Sequence, residues 1–144
     1  MKLSIISFVA FLLITAMVGT LQSASYSGDA QHESDAVSVA IIFLELIDDE
    51  QYRSSWDLTA PIFRNEVSRS NWVDMLMTVR PSLGEVVARE VKAVDIPTSR
   101  QGVPDGEYGT ITFNTSYSNM AEAVETVAMV RIGMEWLVAG YFIQ

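Results

Sequence analysis

Few side chains in this sequence have the means to do chemistry, and two of them stand in unusual company. Arg89 lies between Val87 and Val91, and Glu125 between Ala123 and Val127, so each charge interrupts an alternating row whose other members are apolar. If those rows turn inward, both charges leave water and must be paired, because an isolated buried charge is too costly to keep. Two arrangements meet that demand. The two can close on each other as an internal or rim ion pair, or Arg89 can hold an anionic ligand while Glu125 serves as a base. Alternation alone leaves the inward face open, since the opposite row (Val124, Thr126, Ala128, Val130) is equally apolar. Tyr108 and Tyr141 are phenols able to donate a hydrogen bond to a ligand oxygen. Arg80, beside Pro81 at an expected helix end, can tie that helix's free carbonyls, the role its position favours, or reach into a pocket mouth. Arg89, Glu125, Tyr108, Tyr141 and Arg80 therefore form the candidate binding set, with no catalytic residue, metal ligand or cofactor assigned.

Other chemistries are excluded by what is missing. Cys is absent and the single His is His32, in a polar stretch, so neither a thiol nucleophile nor a His-activated serine is available. Gly102, Gly106 and Gly109 have the wrong spacing for a phosphate cradle and precede a strand pattern. The acidic run Asp48-Asp49-Glu50, with Asp57 nearby, lacks the alternating ligands and central glycine of a calcium loop and reads as a solvated helix end. The chain has 144 residues and a formal charge of −9, a field that repels phosphate backbones and makes nucleic acid an unsuitable partner.

The elements that must position the candidates can be read from periodicity. Lys2 followed by the apolar run Leu3 to Val18, then small residues around Ala24 and Ser25, reads as a secretory signal over 1–24. An uncleaved membrane anchor is the alternative. Residues 25–33 are polar, without periodicity, and are expected to be a disordered spacer. One domain is expected over 34–144. Ser34 or Asp35 can cap a helix in which Val37, Ala40, Ile41, Phe43, Leu44 and Ile47 recur at helical spacing. Tyr52, Trp56 and Leu58 suggest a short second helix ended by Pro61. Ser70-Asn71 opens a third, carrying Trp72, Val73, Leu76, Met77 and Val79 and stopped by Pro81 and Gly84. Beyond Gly84 the pattern turns to strands: 86–96, then 107–117 after a loop at 101–106, 121–132 and 135–143, the last two joined through Gly133-Met134. About three helices and then four strands imply an α+β domain, its helices on one face of a curved four-stranded antiparallel sheet. With no disulfide available, Trp56, Trp72 and Trp136 are expected to fill the core that holds it together.

A wider set of residues carries a family resemblance. Tyr52 with Trp56, Phe63, Trp72, the run Arg80-Pro81-Ser82-Leu83-Gly84 with Arg89, then Pro104-Asp105-Gly106-Glu107-Tyr108, Glu125-Thr126, and Gly133 with Trp136-Leu137-Val138-Ala139-Gly140-Tyr141 resemble the bacterial domain of unknown function 4019 family. The resemblance spans essentially the whole domain. It implies the cone-like α+β shape of cystatin-like and nuclear transport factor 2-like proteins, whose sheet and helices enclose a pocket, and it implies export. No activity comes with it. By analogy with cone-shaped isomerases, a tyrosine beside Glu125 would pair a phenol with a carboxylate base.

These residues together point to an exported protein, periplasmic or secreted, acting without enzymatic activity as a binding or interaction module for an unknown small ligand or envelope protein. It would meet the membrane only through an uncleaved signal. One alternative is a small pocket enzyme of lyase or isomerase type using a carboxylate and a tyrosine. Another is an accessory subunit anchored in the inner membrane.

Overall fold

The strand pattern after Gly84 is realised as one antiparallel sheet in the order β1-β2-β3-β4, with β1 at Val86–Asp95, β2 at Glu107–Tyr117, β3 at Ala123–Ile132 and β4 at Glu135–Ile143. The computed structural model describes residue 28 and residues 30–97 and 107–144. The expected signal at 1–24 and the loop at 101–106 lie outside the described residues. The chain divides into two units, Met1–Ser34 and Asp35–Gln144. In the first, residues 30–34 are helical, which corrects the structureless spacer expected up to residue 33; Gln31 and Glu33 are good helix formers and Ser34 is helical rather than a cap. Among the described residues no helix is long and apolar enough to cross a membrane.

The second unit begins with α1, over 35–48, and continues with α2 at Tyr52–Asp57, α3 at Pro61–Glu66 and α4 at Arg69–Leu83. Among the described residues this unit has four helices, against the about three expected. Pro61 opens α3 instead of merely ending α2, because the first helical position needs no backbone N–H and proline's φ already suits it. Pro81 lies inside the last turn of α4, and Gly84, at φ 79°, ends that helix. A side chain at Gly84 would collide with Ser118 Oγ, so only glycine lets the helix end pass this close to the β2–β3 connection. Backbone bonds from Ser118 to Glu85 (2.8 Å) and from Asn119 to Leu83 (3.0 Å) hold the passage. Ser68 caps α4 by accepting the Asn71 N–H at 3.2 Å, two residues earlier than the expected start.

The helices bury one face of the sheet. Ala36, Ala40, Phe43, Leu44 and Ile47 of α1 pack with Trp72 and Leu76 of α4 on Ile111, Phe113, Val127, Met129 and Val138 of the strands. Each fully buried large side chain contributes about 1.5–3 kcal/mol. Trp72 is 1% exposed and Trp136 5%, and both fill the core as expected. Phe43 lies between Trp72 (6.0 Å between ring centres) and Tyr141 (5.7 Å, edge to face). Trp56 is only half-buried, with the guanidiniums of Arg64 and Arg69 each 4.7 Å from its ring. The outer edge of β4 is partly closed, because Ala60 donates to Val138 O at 2.7 Å and Val138 donates to Leu58 O at 2.9 Å.

Candidate functional site

Strand register decides which polar side chains share the buried face. On β2 the row Ile111, Phe113, Thr115 and Tyr117 is buried. Antiparallel pairing sets Thr115 opposite both Arg89 and Ala123, Phe113 opposite Glu125, and Tyr141 opposite Val127. The irregularity between Val86 and Ala88 brings Arg89 into that row at the edge strand. The inner face thus has an apolar half and, next to it, a polar one.

Glu125 is the centre of the polar half and is 0% exposed. Its Oε1 accepts hydrogen bonds from Tyr117 Oη (2.6 Å) and Tyr141 Oη (2.5 Å). Its Oε2 accepts from Arg89 Nε (2.7 Å) and Thr115 Oγ1 (2.5 Å). Four donors occupy the lone-pair positions of one carboxylate, which is the condition under which a buried acid stays ionised. Burial alone would raise its pKa, but the bonds from Arg89, Thr115, Tyr117 and Tyr141 outweigh it and hold the group below its usual value. The phenols respond in the opposite sense. Burial first, then the bond to Glu125, pushes Tyr117 up to about 12, and burial with the charge of Glu125 drives Tyr141 upward as well.

A second carboxylate completes the cluster. Asp48, in the last turn of α1, bridges two guanidiniums: Oδ2 accepts from Arg89 Nη1 at 2.5 Å, and Oδ1 accepts from Arg89 Nη2 at 3.1 Å and from Arg80 Nη2. Arg80 also donates through Nη1 to Tyr117 Oη at 2.8 Å, with the same atom 3.9 Å from Glu125 Oε1. Two positive and two negative groups therefore balance. Among the described residues no buried side-chain nitrogen or oxygen lacks a partner.

The structure brings together four of the five candidates, Arg80, Arg89, Glu125 and Tyr141. It leaves out Tyr108, which pairs with Val130 and belongs to the opposite row of β2, with Thr110, Thr112 and Asn114. Helix capping is not what Arg80 does, since its guanidinium turns to Tyr117 and Asp48. The acidic run is corrected in part: Asp49 and Glu50 are exposed, but Asp48 is drawn into the cluster by two arginines from other elements. Sequence reasoning also misses Thr115 and Tyr117, although their place in the row with Ile111 and Phe113 is a usable signal.

A cleft of about 500 Å³ opens beside the cluster, lined by Asp48, Glu50, Tyr52, Arg80, Gly84 and Glu85. Asp48, at 21% side-chain exposure, and Arg80, at 7%, connect cleft and buried network. Burial first and then the charge of Glu50 raise the Tyr52 phenol, so it is protonated at neutral pH. A wider groove of about 790 Å³ runs past Arg89, Glu90, Asn114, Thr115 and Glu122. Among the described residues no group of three or more His, Cys, Asp or Glu side chains is arranged to hold a metal ion.

Residues 39–141 match the family model described as "Protein of unknown function (DUF4019)". A search of curated proteins finds no match. The matched segment covers most of the chain and every member of the cluster, and the chain belongs to that family.

Proposed function

We propose that this chain is a small exported pocket protein of carboxylate–tyrosine type, working in the periplasm on a small polar ligand held in the cleft beside Asp48, Tyr52 and Arg80. The chemistry such a pocket favours is proton transfer of the lyase or isomerase class. The observation that carries this reading is the buried carboxylate Glu125 with its arginine, tyrosine and threonine partners, directly behind an open cleft. Apolar side chains of similar volume would stabilise the fold as well or better than a buried ionic cluster, so stability alone gives little reason for it. Perturbed titratable groups gathered at a cleft are a recurrent mark of functional sites.

The parts divide by depth. Glu125 has every lone pair occupied and a lowered pKa, so it is a poor proton acceptor and acts as the anchor that orients Tyr117, Tyr141 and Arg89. A ligand in the cleft can reach the Asp48 carboxylate and the Tyr52 phenol, with Glu50 and Glu85 also lining it and Arg80 between cleft and network. Asp48, whose oxygens are held by the two guanidiniums, becomes the proton acceptor only when a ligand takes those guanidiniums as its counter-charge, with Tyr52 the donor to a developing oxyanion. No metal or organic cofactor enters this scheme.

Thermal-shift screening of small polar metabolites tests it. A stabilising compound is expected, with its effect lost in Tyr52→Phe while that variant keeps its own melting temperature, and with ligand hydrogen exchange in D2O seen by NMR. Absence of any such compound removes the reading. A second reading, an envelope protein as partner, is supported by Met75, Met77 and Val79, which are 45%, 61% and 41% exposed on α4. Capture of one envelope protein that Met77→Asp abolishes would favour it. Export is tested by mass spectrometry of the native N-terminus, where a start near Ala24 or Ser25 is expected.

A further inference from the structure

The seat of Asp48 is unlike that of an ordinary surface carboxylate. It stands in the last turn of α1, where the helix carbonyl ends make a negative charge unfavourable, and Asp49 and Glu50 add two more. The chain then leaves the helix with Gln51 N–H on Leu46 O at 2.8 Å and Glu50 N–H on Ile47 O at 3.1 Å, a closing turn that places Glu50 at φ 59°. That left-handed position is one glycine normally fills, and Glu50 is the one non-glycine residue there among the described residues. Helix dipole, neighbouring acids and backbone all work against this turn. What compensates them is the grip of two guanidiniums, from Arg80 and Arg89, on a single carboxylate.

We infer that Arg80, which lines the cleft, and Arg89, which lines the neighbouring groove and meets the cleft only through Asp48, form a carboxylate-binding site, and that Asp48 occupies it as an internal stand-in until a small carboxylate ligand displaces it. The inference rests on the pocket reading above and names its ligand class. Two planar guanidiniums on both oxygens of Asp48 match what a carboxylate ligand requires, and a group of that size is delivered through the cleft that Asp48 itself lines. Behind the site, Glu125 holds Arg89 through Nε and Tyr117 holds Arg80 through Nη1, so both guanidiniums stay aimed when Asp48 leaves. Glu50 and Glu85 at the rim disfavour polyanions and restrict the ligand to one carboxylate at the floor. The displaced turn has somewhere to go: it is joined to α2 through exposed residues 49–51 and is strained where it stands.

Acetate is the probe, titrated against chloride at equal ionic strength and read by thermal shift and by NMR of the arginine side chains. Asp48→Ala is expected to bind acetate about tenfold or more tightly than the native chain, because a like charge a few ångströms away has been removed. Arg89→Gln added to Asp48→Ala is expected to abolish that gain. An Asp48→Ala protein that is unstable in chloride and recovers in acetate supports the inference equally. Asp48→Asn keeps the side chain's volume without its charge, and acetate binding no tighter than that of the native chain in both Asp48→Asn and Asp48→Ala overturns it. An uncharged ligand that stabilises the native chain through Tyr52, while acetate ignores Asp48→Ala, overturns the carboxylate site and leaves the pocket reading standing. Acetate binding to Asp48→Ala, with no Tyr52-dependent ligand for the native chain, does the reverse.

Discussion

Tyr141 belongs to two regions that share one face of the sheet and obey different rules. Its ring packs edge-on against Phe43 and lies 6.2 Å from Trp72, within an aromatic core held mainly by contact area, with one buried bond from Trp72 Nε1 to Ser55 Oγ at 3.0 Å. Its hydroxyl ends on Glu125, in a cluster where each donor has a named acceptor. In the core, loss of one side chain removes its own contacts and leaves a cavity. In the cluster, loss of one member leaves the others buried and uncompensated, so damage exceeds anything the missing group contributed. A core of this kind tolerates exchange of shapes, whereas the cluster tolerates only exchange of the whole set.

The largest effects test that contrast directly. Glu125→Ala and Arg89→Ala should each lower stability by about 3–5 kcal/mol, and the double substitution should lose much less than the sum. Trp72→Ala should cost a similar 3–5 kcal/mol, with Trp72→Ala and Glu125→Ala falling closer to additivity, as chemical denaturation of the single and double variants would measure. Strict additivity between Arg89 and Glu125 would break the distinction.

Next in size is the shared residue. Tyr141→Phe removes only the hydroxyl and should cost about 1.5–3 kcal/mol, as a hydrogen bond to a charged group does, while its ring contacts with Phe43 persist in the near-ultraviolet circular dichroism. Stability against pH should show the cluster and not the core. Glu125 is held below its usual 4.5, so its contribution is present above that value and is lost as pH falls through the lower folded value. Tyr117 is raised from 10.0 to about 12, so its contribution is complete below pH 10 and disappears as pH rises towards 12. A flat plateau between those limits is expected. In an Arg89→Ala and Glu125→Ala background the acid limb should flatten. The smallest expected effect is at the surface, where Arg64→Ala removes one guanidinium from Trp56 and should cost about 0.5–1 kcal/mol.

Much of this division is legible in the residues, and the reasons are specific. Alternation of Ile111, Phe113 and Tyr117 against Thr110, Thr112 and Asn114 marks the buried row of β2, and the requirement that buried charges be paired couples Arg89 to Glu125. The row of Val87 and Val91 nevertheless does not turn inward (69% and 44% exposed), and Arg89 reaches the buried face only through the irregularity between Val86 and Ala88. The strands on either side of Gly133-Met134 have almost the expected limits. What periodicity cannot supply is register. Tyr108 and Tyr141 are both tyrosines in strands, and only the pairing of β2 with β3 and β3 with β4 puts one on the outer row and the other against Glu125. Asp48 is hidden for a different reason. Charge runs at helix ends are usually solvated, and nothing local to Asp48-Asp49-Glu50 reveals that arginines 32 and 41 residues away will reach the first of the three. Pro61 misleads because proline both ends and begins helices, and the two uses differ only in the residues after it.

The claim on which the rest depends is that Glu125 is an ionised carboxylate held by four donors in the interior. A ¹³C NMR titration of its side-chain carboxyl, in the native chain and in Arg89→Gln, measures this most directly. A carboxylate signal is expected at neutral pH, persisting on acidification to below 4.5 and titrating at higher pH once Arg89 is neutralised. A Glu125 found protonated at neutral pH, or one whose titration ignores Arg89→Gln, would contradict the claim.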